Sequence, residues 1–279
     1  MKLKHLITAT AFTFSIAGGF AINHWYQNTN KFETINTEIT MPTGNFDYAK
    51  AWEEVKKFDE DRLPKSALAK VREIQQNAES EKNYQQLIKS YIFSIDYVKE
   101  VEEDEENLVK SYTIELMKFR ELAGTLPTEF KALSYNIIAK FYEEYYNSQR
   151  WSIQNRTKLE NDTDPDMNTW CTERFEKEVR NVYELSIAES ATLINYPIKD
   201  FSLLIETDKR QIDTRFRPTL FDYLAWDYLD MNPQFGVASD FTYQDLELVS
   251  GNDKFLNFSP KNNETESMDN RRLEIYKML

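Results

Sequence analysis

The chain has 279 residues, a formal net charge of −13 and a hydrophobic fraction of 41%. This length can bury one large core or two smaller ones, and the acidic excess disfavours a nucleic-acid partner because it repels phosphate. Only 6 glycines and 8 prolines are present, which disfavours β-sandwich and dinucleotide-binding folds. The 2 histidines, His5 and His24, both lie near the start of the chain, which disfavours His-ligated zinc and histidine acid–base chemistry.

The first 45 residues are predicted to be a leader and a linker. Lys2 and Lys4 precede a mostly apolar stretch at 6–17, and small residues follow as far as Ala21. This order is typical of a secretory signal peptide cut after Ala21, or of an uncleaved signal anchor, with residues 22–45 as a polar linker. The body of the chain is therefore expected to be exported, to the periplasm or the cell envelope.

Residues 46–231 are predicted to form a helical domain, because apolar residues recur at three- and four-residue spacing. Pro64 and Pro218 stand where helices begin, and Gly124 stands where one ends. Tyr142, Tyr145 and Tyr146 are expected to form a half-buried wall. The predicted helices are 46–58, 64–80, 84–98, 105–122, 128–151, 169–194, a short one at 200–206, and 218–230.

Short links between these helices indicate antiparallel hairpins. The predicted fold class is all-α, with hairpins stacked as an irregular tetratricopeptide-like array, since no repeat of fixed period is present. Residues 232–267 are expected to be an irregular connection. Residues 268–279 are expected to begin a further helix that the chain does not finish, as in a truncated product or a fragment.

The run Cys171-Thr172-Glu173-Arg174 is similar to the Cys-x-Glu-Gln run of a reactive thioester. A thioester closes on a glutamine carbonyl, and Arg174 supplies none, so Cys171 is interpreted as a core thiol. No histidine of the mature body is available to activate it as a nucleophile. A lone cysteine also forms no intramolecular disulfide.

Other residue groups leave two readings open. Trp52, Trp151, Trp170 and Trp226 suit either the core or a carbohydrate-binding platform, and their helical spacing favours the core. Arg150, Arg156 and Arg174 suit an anionic ligand or, given the acidic excess, ion pairs. The carboxylate pairs Glu53–Glu54 and Glu143–Glu144 point to different helix faces, and the acidic block at 100–106 lacks calcium-loop spacing. No catalytic, cofactor or metal site is predicted.

The order of several short motifs resembles the N-terminal helical region of the large alpha-2-macroglobulin-like proteins of Bacteroidetes. The resemblance covers about two thirds of the chain, residues 47–228. The motifs are Trp52-Glu-Glu-Val55, Leu63-Pro-Lys-Ser-Ala-Leu68 with Val71 and Ile74, Gln86-Leu-Ile-Lys89, Phe141-Tyr142 with Tyr145, Arg156-Thr157, Thr169-Trp170 with Arg174-Phe175, and Arg217-Pro-Thr-Leu-Phe-Asp-Tyr-Leu-Ala225.

This resemblance implies an envelope protein whose parent traps or inhibits proteases, with the macroglobulin domains missing from this chain. The leading hypothesis is a non-enzymatic, exported helical segment that acts as a spacer or docking platform. A free-standing periplasmic adaptor that binds a protein partner is the second hypothesis, and a glycan-binding helical surface protein is the third. Contact with the membrane is expected only through an uncleaved leader.

Overall fold

The computed structural model describes residues 46–102, 104–158, 164–205, 215–231, 235, 252–257 and 268–279. The expected leader at 1–21 and linker at 22–45 lie outside these residues, as does most of the connection at 232–267. All structural statements below concern the described part of the chain.

The described residues are all-α, as predicted. They contain no strand, and one isolated bridge pairs Pro197 with Thr219. The helices are α1 Tyr48–Glu60, α2 Pro64–Ser80, α3 Tyr84–Val101, α4 Glu105–Thr125, α5 Thr128–Ser148, α6 Arg150–Gln154, α7 Thr172–Ile187, α8 Ser190–Leu193, a 3-10 helix Ile198–Phe201, α9 Leu220–Leu229, α10 Asn252–Leu256 and α11 Met268–Met278.

Four predicted elements need correction. The helix expected at 128–151 ends at Ser148, and α6 follows as a separate element. The helix expected at 169–194 is two helices, α7 and α8. A 3-10 turn at Ile198–Phe201 replaces the helix expected at 200–206, and the connection predicted to be irregular contains α10.

Helix ends follow local chemistry. The side chains of Asp47, Asn83 and Asp104 accept hydrogen bonds from backbone N–H groups in the first turns of α1, α3 and α4, which satisfies donors that the helix leaves free. Arg62 and Lys82 adopt left-handed φ angles of 56° and 55°. Each lets the chain reverse within three residues, so α1, α2 and α3 are antiparallel neighbours.

Ion pairs and ring contacts connect alternate helices, which places the helices in two rows. The first row is α1, α3, α5 and α9, and the second row is α2, α4, α7 and α11. First-row contacts join Lys89 to the Trp52 ring, Lys99 to Glu144 and Lys140 to Asp227. Second-row contacts join Arg72 to Glu115, Arg120 to Glu178 and Arg271 to Glu184. A tetratricopeptide-like geometry of these rows remains a prediction.

The core has two parts, and α3 separates them. Phe93 and Tyr97 on one face of α3 contact the α1–α2 hairpin, while Ile88 and Ile95 on the other face contact the main core. The smaller part consists of Ala51, Val55, Ala67, Val71, Ile74, Phe93 and Tyr97. Its α2 contributors Ala67, Val71 and Ile74 are all 0% exposed, so this hairpin packs closely on α3.

The tyrosines near the end of α5 are more deeply buried than predicted. Tyr142, Tyr145 and Tyr146 are 1%, 7% and 2% exposed, not half-buried. Their rings pack against Trp170 and Phe175. Two of the three hydroxyls have charged or polar partners, since Tyr142 accepts from Arg120 and Tyr145 donates to Asn168. This aromatic cluster holds α5 against the start of α7.

Candidate functional site

A groove of about 760 Å³ lies between α4 and α7. Two of its apolar side chains are well exposed, Ile114 at 45% and Leu185 at 39%. Its lining residues are Lys110, Thr113, Ile114, Met117, Lys118, Arg120, Glu121, Tyr135, Pro165, Asp166 and Leu185. Apolar residues at three- and four-residue spacing on α4 place Ile114 and Met117 on one side of the helix.

A charge network that begins at Arg120, one of the lining residues, joins the two walls of the groove. The Arg120 guanidinium donates to Glu178 at 2.8 Å and to the Tyr142 hydroxyl at 3.1 Å. Burial alone would lower the pKa of Arg120, but the Tyr142 hydroxyl and the Glu178 carboxylate raise it above the usual arginine value. Arg174 reaches the second oxygen of Glu178 at 3.2 Å. The network therefore fixes α4 relative to α7 rather than offering a free charge.

One polar group in the groove lacks a partner. Thr113 is 7% exposed, and its hydroxyl makes no hydrogen bond to any described residue. A buried hydroxyl without a partner costs free energy. Because this hydroxyl oxygen is itself inaccessible to solvent, what the groove offers an occupant is the apolar surface of Ile114 and Leu185.

Cys171 is buried and directly precedes α7. Its thiol hydrogen-bonds to the Glu173 carboxylate, and this bond helps to lower the pKa of Glu173, after the larger effect of the Glu173 backbone N–H. Arg174 follows Glu173, and its guanidinium carbon lies 5.1 Å from the centre of the Trp170 ring. The same side chain pairs with Glu178. The four residues that resemble a thioester run therefore serve as a helix start.

The four tryptophans do not share a surface. Trp52 packs against Phe93 in the smaller core, and Trp170 is buried in the main core at 1% exposure. Trp226 contacts Tyr276 and Arg217. Trp151 is 85% exposed, so the core reading is wrong for this residue. The described positions do not assemble a common aromatic platform.

The three arginines also differ from one another. Arg174 makes the expected ion pair with Glu178. Arg156 donates to the backbone carbonyls of Met167 and Trp170 at 2.8 and 3.0 Å and so closes the loop before α7. Arg150 is exposed at the start of α6. They do not converge on one anion site.

The adjacent carboxylates diverge as the helical spacing predicts. Glu144 contacts Lys99 on α3, whereas Glu143 accepts from the Tyr183 hydroxyl on α7. Glu54 pairs with Lys70 on α2, and Glu53 is exposed. Within the described residues, no group of three or more His, Cys, Asp or Glu side chains is placed to bind a metal ion.

Sequence reasoning missed the charged residues that join the helices. Glu115 interrupts a stripe of buried residues on α4, which consists of Tyr112, Leu116 and Phe119. Glu178 likewise stands among the buried residues Phe175 and Val179 on α7. The signal was available, since a charge inside an apolar stripe is rarely buried unless it is paired. The partner of each charge was not available, because it lies on another helix.

No described helix is long and apolar enough to span a bilayer. Comparison of the chain with known protein families, with curated proteins and with solved structures finds no match.

Proposed function

We propose that the chain is an exported, non-enzymatic helical scaffold that binds a segment of a protein partner in the α4–α7 groove. The observation that carries this proposal is the joint exposure of Ile114 and Leu185 in one groove. Exposed apolar side chains gathered in a concave site are typical of binding surfaces.

Three further features support the proposal. The walls of the groove are held together by Arg120 and Glu178, and a preformed site costs less to occupy than one that must be ordered on binding. Stacked helices provide extended surfaces for protein segments. The resemblance to the helical region of macroglobulin-like envelope proteins supports the role of a docking platform beside larger domains. The leader-like start of the chain supports export.

Site-specific photocrosslinking tests this function. A benzophenone amino acid is placed at Ile114 or at Leu185, and at the exposed Lys56 of α1 as a control. Each variant is irradiated in an envelope extract of the native source. We expect one and the same stoichiometric adduct from both groove positions and none from position 56.

A second variant sharpens the test. Ile114→Asp adds a charge to the groove and should reduce adduct formation from position 185 by at least about tenfold, the equivalent of about 1.4 kcal/mol. Equal labelling from all three positions would argue that the groove is not the binding surface. Turnover of a substrate by the purified chain would contradict the non-enzymatic assignment.

A further inference from the structure

The contact between α3 and α5 contains two carboxylates and a single ammonium group. The Lys99 Nζ lies 3.2 Å from the Asp96 Oδ1 and 3.0 Å from the Glu144 Oε1. The two carboxylates are therefore within about 6 Å of each other, a separation at which like charges disfavour each other. The side chains of Lys99, Asp96 and Glu144 are 29%, 25% and 27% exposed, so water screens the pair only partly.

The described groups that surround this contact add negative charge to it. None of those that act on it is a second cation. Glu100 follows on α3 and experiences both Asp96 and Asp59 of α1. Tyr112 of α4 lies beneath Lys99, whose Nζ is 5.0 Å from the ring centre. The nearest titratable groups are thus Lys99 and Glu100 on α3 itself, Asp59 on α1, Tyr112 on α4 and Glu144 on α5.

We infer that the α3–α5 contact is a proton-operated joint: Asp96 takes up a proton under mildly acidic conditions, and the two helices then hold together more tightly. A neutral Asp96 can still accept from Lys99 and no longer repels Glu144. The joint does not depend on the proposed binding function.

The direction of the charge effects agrees with this geometry. Burial is the main cause that raises the pKa of Asp96, from 3.8 to about 6, with Glu144 adding to the rise and Lys99 opposing it. A raised pKa in the folded state means that the folded chain binds more protons than the unfolded chain between about pH 4 and 6. The stabilisation is therefore complete below about pH 4 and is lost as the pH rises through about 6.

Unfolding measurements at different pH values test the joint. Urea unfolding is followed at pH 8, 6 and 5 for the full chain and for Asp96→Asn. Relative to the variant, the unfolding equilibrium constant of the natural chain should fall about tenfold between pH 8 and pH 5. Dividing the unfolding constant of the natural chain by that of the variant cancels the contribution of all other carboxylates. A ratio that is constant with pH would overturn the inference.

Carbon-13 NMR of the Asp96 carboxyl tests whether Asp96 takes up a proton, even if Asp96→Asn fails to fold. Its titration midpoint should lie near pH 6 in the natural chain. Glu144→Gln should move the midpoint down, because a like charge is removed, and Lys99→Gln should move it up, because the ammonium is removed. A midpoint below pH 5, or one that neither variant moves, would contradict proton uptake by Asp96 at this contact.

Discussion

Arg120 on α4 and Glu178 on α7 are 58 residues apart in the chain, yet they lie 2.8 Å apart in the second row of helices. Glu178 has an exposed side-chain fraction of 11% and accepts from Arg174 as well. Arg120 lines the groove, and its pairing with Glu178 connects the α4 wall to α7. The same row is joined by Arg72 with Glu115 and by Arg271 with Glu184.

Arg120→Met should destabilise the fold by about 2–3 kcal/mol, because it leaves the Glu178 carboxylate buried with only Arg174. Urea unfolding measures the change. Lys56→Met is the matched control, since Lys56 and Glu60 pair on the surface at 3.8 Å with exposed fractions of 49% and 66%, and it should change stability by less than about 0.5 kcal/mol. Equal effects of the two substitutions would show that the buried pair has no special role.

Ile74→Ala should loosen the α1–α2 hairpin without a comparable effect on α5 and α7. Ile74 is fully buried in the smaller core, and truncation of a buried isoleucine costs about 2–5 kcal/mol. Hydrogen exchange resolved by residue would show faster exchange in α1 and α2 first, since these helices contribute to the smaller core and α5 and α7 do not. A uniform increase across all helices would instead show that the two core parts unfold as one.

Lys82→Gly should stabilise the protein by about 0.5 kcal/mol. The left-handed φ of 55° at Lys82 is unfavourable for a residue with a Cβ atom, and glycine adopts it freely. Lys56→Gly, an exposed position inside α1, is the control and should destabilise by about 1 kcal/mol. The thermal midpoints of the two variants should therefore move in opposite directions. Movement in the same direction would argue against relief at the turn.

Thr219→Ala should destabilise the protein by about 1 kcal/mol. The Thr219 Oγ1 accepts from the Asp222 backbone N–H at 3.2 Å, and the Asp222 carboxylate accepts from the Thr219 backbone N–H at 2.9 Å, which is a capping box at the start of α9. Thr219→Ser retains the hydroxyl and should remain within about 0.5 kcal/mol of the natural chain in urea unfolding. If serine and alanine behave alike, the hydroxyl is not the stabilising group.

Local pattern sufficed for the starts of α2, α3, α4 and α5. The helix predicted at 64–80 is α2 over the same residues, because proline at the entrance and apolar stripes act within a few residues of each other. The break after Ser148 was not predictable in this way, since Gln149 and Arg150 are compatible with continuing the helix.

The sequence by itself determined that this protein is helical, where its hairpins reverse, and which faces of its helices are apolar, because these properties depend on residues a few positions apart. Only the tertiary structure decided that Trp170 is buried while Trp151 is exposed, that Arg156 holds backbone carbonyls, and which carboxylate each buried cation contacts. Those outcomes depend on contacts between helices distant in the chain, and the spacing of residues along a single helix carries no information about them.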